Sequence, residues 1–191
     1  MKVVAFSGSP RKGGNTAALI RYVFEELEKE GIECELVELA GKQIRGCIAC
    51  RRCGTNQDKQ CAVRDEIINH CIDKMVEADG IILGSPTYFA NMTTEMKALI
   101  DRAGFVAKMN GDMFKHKVGA AVVIARRGGA DHVFNSINQF FLISQMVIPG
   151  SSYWNIAVGL NAGDVEKDEE GVRTMRVLGQ NMAWLLKKLK A

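Results

Sequence analysis

Two groups of residues in this sequence have the types and spacing to do chemistry. The first is Phe6-Ser7-Gly8-Ser9-Pro10-Arg11-Lys12-Gly13-Gly14-Asn15-Thr16, set between an apolar run, Val3 to Phe6, and an amphipathic one. A loop that leaves a strand and opens a helix presents unpaired backbone N–H groups at the positive end of the helix dipole, which suits an anion. Gly8, Gly13 and Gly14 let the backbone approach a ligand closely. Ser7, Ser9, Asn15 and Thr16 offer hydrogen bonds, and Arg11 and Lys12 offer charge. This donor set suits a phosphate monoester. The spacing from Gly8 to Gly13 fits a Walker A loop, but Gly14 and Asn15 stand where Lys and Ser or Thr belong, and no G-x-G-x-x-G passes through the segment.

The second group is Cys47, Cys50, Cys53 and Cys61, spaced C-x2-C-x2-C-x7-C. Four thiolates this close together suffice for a [4Fe–4S] cluster. Arg45, Arg51, Arg52, Lys59 and Arg64 surround them. Those cations are expected to lower the thiol pKa values and to offset an anionic cluster. Two other readings stay open. Zinc takes four thiolates, although its sites usually pair two separated C-x2-C knuckles. Free thiols could also do redox or structural work. Cys34 and Cys71 stand alone in periodic segments and read as small buried hydrophobes.

The elements that must position these groups follow from hydrophobic periodicity. Strands are expected at Val3 to Ser7, Ile32 to Leu39, Gly80 to Gly84, Val118 to Ala125 and Tyr153 to Val158. Helices are expected at Asn15 to Glu30, 65–78, Thr93 to Val106, 131–146 and Gly171 to Lys190. The last has Val172, Met175, Leu178, Met182, Leu185, Leu186 and Leu189 as its inner face. Asp65 and Glu66 would open the second helix. Alternating strands and helices imply a parallel sheet with helices on both faces, in the order 2-1-3-4-5. An α/β fold of three layers is expected. Its ligand binds at the carboxyl ends of the strands, where loops 7–15, 84–92 and 125–130 converge.

The 191 residues fit a single domain, with the cysteine-rich segment at about 41–64 as an insertion. Hydrophobic residues at 47% and charged ones at 25% fit a globular chain rather than a disordered one. The net charge of +3, with no basic block, excludes a nucleic-acid footprint. No apolar run reaches the length of a membrane span. The start MKVVAF meets Ser7 and Gly8 too soon for a signal peptide. A cytoplasmic location is expected, where cysteines stay reduced.

GSPRKGGNT resembles the phosphate loop of the flavodoxin-like NAD(P)H-dependent FMN reductases. ADGIILGSPTYFANMTTEMKALIDR, residues 78–102, resembles the same family's third strand, flavin-ring loop and following helix, and GDVEKDEEG continues the likeness near the end of the chain. The cysteine motif resembles that of the iron–sulfur flavoprotein branch. The resemblance implies that Ser9, Arg11, Asn15 and Thr16, with Ser7 beside them, hold an FMN phosphate. It implies that Pro86, Thr87, Tyr88, Phe89 and Asn91 meet the isoalloxazine edge, and that Arg126, Gly128 and Gly129 form a third wall. Cys47, Cys50, Cys53 and Cys61 would ligate the cluster.

The implied activity is an FMN-dependent oxidoreductase with no protein nucleophile. It would move electrons between NAD(P)H or ferredoxin and a small-molecule or protein acceptor. The alternatives are a non-enzymatic flavin electron carrier, a cluster-free NAD(P)H:quinone or flavin reductase, and a flavin-free phosphate-binding module with structural zinc. A homodimer or homotetramer is implied by the family.

Among the remaining residues, His70, His116 and His132 have no partners at metal spacing. Lys97, Asp101 and Arg102 read as a helical salt-bridge group, or as a face for a second subunit. Trp154 reads as core, and Trp184 as the flank of the last helix.

Overall fold

Short apolar runs rich in β-branched residues form the sheet, and 3.6-periodic runs form the helices that cover it. The computed structural model describes residues 1–64 and 67–190. Five strands, β1 (Lys2–Ser7), β2 (Glu33–Glu38), β3 (Gly80–Pro86), β4 (Val118–Ala125) and β5 (Ile156–Val158), pair in parallel in the order β2-β1-β3-β4-β5. This is the expected flavodoxin-like topology. Strand order reverses between β1 and β3, which opens a crevice at their carboxyl ends.

Side chains alternate across the sheet and build one core on each face. Val3, Ala5, Ile82 and Val122 pack with Leu19, Ile20 and Val23 of α1 (Asn15–Lys29) and Leu178 and Met182 of α6 (Glu169–Lys190). Val4, Phe6, Ile81 and Val123 pack against α3 (Ile68–Glu77), α4 (Thr94–Met109) and α5 (Ala130–Ile143). A short helix, α2 (Arg52–Asn56), lies inside the cysteine segment.

The α1–α6 contact is close. A Cβ on Gly179 would lie 2.6 Å from the Val23 carbonyl oxygen, so no larger residue fits without moving a helix. Beside it the buried Glu26 accepts hydrogen bonds from Lys29 Nζ (2.6 Å), Gln180 Nε2 (3.0 Å) and Arg176 Nη1 (3.1 Å). These donors, Lys29 first, hold its carboxyl down to about 2 against the desolvation that opposes them.

Several boundaries differ from the sequence expectation. β5 has three residues rather than the six from Tyr153, because Ser151 Oγ hydrogen-bonds the Tyr153 carbonyl and Asn155 Oδ1 and folds residues 151–155 into a turn. Trp154 is therefore not core. It is 55% exposed and packs on the Tyr153 ring at 5.0 Å. Leu189, expected on the inner face of the last helix, is also exposed. α5 stops at Ile143, and Val147 bridges to Val118 instead. Asp65 and Glu66 lie outside the described residues. No described helix is long and apolar enough to cross a membrane.

Candidate functional site

Loops after β1, β3, β4 and β5 enclose a cleft of about 210 Å³. Its lining includes Ser9, Arg11 to Thr16, Pro86, Thr87, Tyr88, Ile124, Ala125, Arg126, Gly159, Leu160 and Ala162.

The glycines of the first loop serve different ends. Gly8 is fixed by packing: its N–H donates to the Gly84 carbonyl (2.8 Å), its carbonyl accepts from Thr93 Oγ1 (2.7 Å), and a Cβ there would meet Met96 Cβ at 2.7 Å. Gly13 turns the chain through φ +62° and donates its N–H to Glu38 Oε1 at 2.7 Å. Gly14 opens α1 without a side-chain cap, and the first turn of α1 has no acidic residue. The positive end of this helix therefore faces the cleft with no acidic side chain of its own to neutralise it.

Asn15 and Arg11 build the fourth wall. Asn15 Nδ2 donates to the Asn161 carbonyl (2.7 Å), and Gly163 N–H donates to Asn15 Oδ1 (2.9 Å). Arg11 Nη1 donates to the Leu160 carbonyl at 3.0 Å. Asp164 folds the same segment by accepting from the N–H groups of Asn161 (2.7 Å) and Leu160 (3.2 Å), which hold its carboxyl below the usual range.

In the β3–α4 loop, Tyr88 and Asn91 exchange backbone hydrogen bonds at 2.7 and 3.0 Å. This puts Phe89 (φ 46°) and Ala90 (φ 63°) at the tip in left-handed conformations, at a cost of about 1–2 kcal/mol each. Phe89 projects fully into solvent. Thr87 donates its N–H to the Ile124 carbonyl (2.8 Å), while its buried Oγ1 has no partner among the described residues. A buried hydroxyl without a partner costs stability, and Thr87 is a lining residue of the cleft. Thr93 caps α4 by accepting from Met96 N–H (3.3 Å), so one residue ties the tip loop, α4 and the first loop together.

Ser9, Arg11, Asn15, Thr16, Pro86, Thr87, Tyr88 and Arg126 thus meet at one cleft, as the sequence motifs imply. Ser7, Phe89, Asn91, Gly128 and Gly129 are not among its lining residues. Ser7 is buried within β1. Asn91 closes the tip hairpin, and Gly129 backs it, with its Cβ position 3.1 Å from Ala90 Cα. Residues 159–162 were not foreseen. Their only sequence signal was their place after the last strand, where this topology puts ligands. A phosphate-bearing ligand such as FMN fits this donor set.

Cys47, Cys50, Cys53 and Cys61 line a second, smaller cleft with Arg102, Phe105 and Val106 of α4. None of the four is in a disulfide. Cys47 and Cys50 are exposed, Cys53 and Cys61 buried. Three side chains staple the segment. Asn69 donates to the Cys61 carbonyl (3.0 Å) and accepts from Cys61 N–H (2.7 Å). Asn110 donates to the Cys53 carbonyl (3.2 Å) and accepts from Lys59 N–H (3.0 Å). Arg102 donates to Cys61 Sγ (3.3 Å), to the Arg45 carbonyl (3.1 Å) and to the Val63 carbonyl. Arg102 is thus not a surface residue. Lys97 and Asp101 pair at 2.5 Å, while Arg102 turns inward and is 1% exposed.

The expected lowering of thiol pKa does not hold at Cys53, where burial pushes the thiol up. Among the described residues, no three His, Cys, Asp or Glu are gathered tightly enough to hold a single metal ion. What the four thiols share is one cleft. Cys71 is fully buried and Cys34 partly so, and burial pushes the Cys34 thiol up to about 12.

Comparison with known proteins agrees with this geometry. The chain is 38% identical to an iron-sulfur flavoprotein of Methanocaldococcus jannaschii, over 100% of both chains. It is 31% identical to an iron-sulfur flavoprotein of Methanosarcina thermophila, over 100% of this chain and 97% of the other. RosB, solved with a bound formylated riboflavin-5'-phosphate intermediate, superposes with a TM-score of 0.76 at 18% identity, over 100% of this chain and 80% of RosB, which speaks to fold alone. Residues 1–160 match the family described as NADPH-dependent FMN reductase. With that match over most of the chain, and with an uncapped helix end and a phosphate-suited loop at the strand switch, the chain belongs to the NADPH-dependent FMN reductase family.

Proposed function

We propose that the chain is an FMN-dependent oxidoreductase. It moves electrons between a reduced donor, NAD(P)H or ferredoxin, and a small-molecule or protein acceptor. The observation that carries the flavin site is the uncapped α1 N-terminus opening on the cleft that Thr87, Tyr88 and Arg126 also line. Bound FMN supplies hydride and single-electron chemistry, so no protein nucleophile is needed. The chain's own residues bind, orient and exclude water. Ser9, Lys12 and the first turn of α1 hold the phosphate. Arg11 and Asn15 keep the 159–163 wall in place, and Tyr88 and Arg126 screen the ring.

Cys47, Cys50, Cys53 and Cys61 hold a [4Fe–4S] cluster in this reading, supported by their shared cleft and by the names of the relatives. The absence of a tight three-ligand group among the described residues favours a second reading, a cluster-free reductase of quinones or flavins. Absorption spectra of anaerobically purified protein, with FMN, iron and zinc assayed on the same sample, separate the two. Flavin bands with about four iron per chain support the first. Flavin without iron, even after reconstitution, leaves the second. A colourless protein that takes up no FMN sinks both.

The chain forms a homodimer in this reading. An apolar groove of about 540 Å³ runs between α4 and α5, lined by Ile100, Gly104, Phe105, Phe140 and Ile143. Lys97, Asp101, Lys108 and Asp112 also line it. Antiparallel pairing of α4 about Gly104 and Phe105 would set Asp101 against Lys108 of the partner subunit. Asp101→Lys should weaken the dimer in sedimentation, and adding Lys108→Asp should restore it. A chain that stays monomeric throughout would remove this surface.

A further inference from the structure

We propose that Arg102 is the positioning residue of the cysteine segment, closing its two ends and setting the charge around Cys61. This rests on the reading of the four cysteines as cluster ligands. From α4, one guanidinium reaches the Arg45 carbonyl, two residues before Cys47, and the Val63 carbonyl, two residues after Cys61. Its Nε–H points at Cys61 Sγ from 3.3 Å. The side chain is 1% exposed, and its position is set by a helix whose start is locked by Thr93 to Gly8.

A segment of this length has a large closure entropy if left open. Joining its ends gathers the thiols before any metal arrives. Only a planar fork with several fixed donors reaches three acceptors in different directions, which an ammonium does not. An N–H donor and a buried positive charge at a ligand sulfur stabilise the more negative, reduced state of a thiolate-held cluster, and so raise its potential. Arg102 thereby links two things in one side chain, the closure of the segment and the electron affinity of what it holds.

The test compares the full-length chain with Arg102→Met, which keeps bulk and loses all donors, and Arg102→Lys, which keeps charge and loses the fork. Each protein is reconstituted anaerobically with iron and sulfide. Iron, sulfide and FMN are assayed, and the cluster midpoint potential is measured. In the metal-free proteins, alkylation of Cys61 is followed by mass spectrometry.

The Met variant should keep FMN, alkylate Cys61 about tenfold faster or more, hold less iron, and show a more negative potential in the clusters that form. The Lys variant should be as open to alkylation but closer to wild type in potential. Unchanged alkylation together with unchanged potential in the Met variant would overturn the proposal. If the Met variant fails to fold, as judged by circular dichroism and FMN content, the Lys variant's alkylation rate decides the matter alone. Wild type that takes up no iron would defeat the cluster reading, and alkylation of the metal-free chains would still decide whether Arg102 is the clamp.

Discussion

Asn15→Asp should weaken FMN binding strongly while leaving the stability of the empty protein within about 1 kcal/mol of wild type. Asn15 begins α1, whose first turn has no acidic residue. A carboxylate there meets the positive end of the helix dipole and stabilises the empty protein by about 0.3–1 kcal/mol. It keeps the acceptor for Gly163 N–H and loses the donor to the Asn161 carbonyl, an offsetting cost of about 1 kcal/mol or less at this exposed site. Near a phosphate the same charge is repulsive. At close range a unit pair is worth about 1 kcal/mol in water and ~4 kcal/mol at a partly screened surface. About 3 kcal/mol, or roughly a hundredfold in Kd, is the expected loss for FMN.

Asn15→Ala removes both wall contacts without adding charge, so its loss should be smaller, about tenfold. The assay is titration of the flavin-free protein with FMN and with riboflavin, followed by fluorescence quenching, with thermal melts of the empty proteins alongside. Riboflavin has no phosphate, so Asn15→Asp should weaken it no more than Asn15→Ala does. Equal losses for FMN and riboflavin in the aspartate variant would refute the placement of the phosphate at α1. So would an unchanged FMN affinity.

Three further outcomes follow from particular contacts. Glu26 has its folded pKa lowered to about 2 from 4.5, so its contribution is fully present above pH ~4.5 and is lost as pH falls from there through about 2. The stability gap between wild type and Glu26→Gln, measured by denaturant titration, should therefore be largest near neutrality and close over that window; a gap independent of pH would remove the role given to this latch. Gly179→Ala pushes a Cβ against the Val23 carbonyl, which cannot rotate away, and should cost about 1–3 kcal/mol of stability with little change in FMN affinity once folded. Cys34, with its thiol raised to about 12 by burial and then by Glu28 and Glu33, should alkylate at pH 8 far more slowly than the exposed Cys47; equal rates would contradict that environment.

Much of the site was legible because helix-terminus chemistry is local. Glycines, hydroxyls and cations between Phe6 and Ala17 have to sit where a strand feeds a helix, and the sequence alone places them there. Local too is the alternation that puts Val3 and Ala5 on one face and Val4 and Phe6 on the other. Trp154 was misread because its strand-like neighbours are folded into a turn by Ser151, a hydrogen-bond effect invisible to periodicity. Asn15, which the resemblance assigns to the phosphate, also holds residues 161 and 163, far off in the chain, and no local pattern shows that contact.

By itself, the sequence determined the main element types, the phosphate-suited loop and the grouping of four cysteines, since each depends on residues close in the chain, and the alternation of strands with helices pointed to the parallel sheet. Only the tertiary structure decided that residues 159–162 wall the cleft, that Thr87, which also lines it, keeps a buried hydroxyl unpaired, and that Arg102 turns from its helix into the cysteine segment. Those facts depend on contacts between distant segments. A guanidinium on a helix face has the same local pattern whether it meets solvent or Cys61, and packing alone determines which.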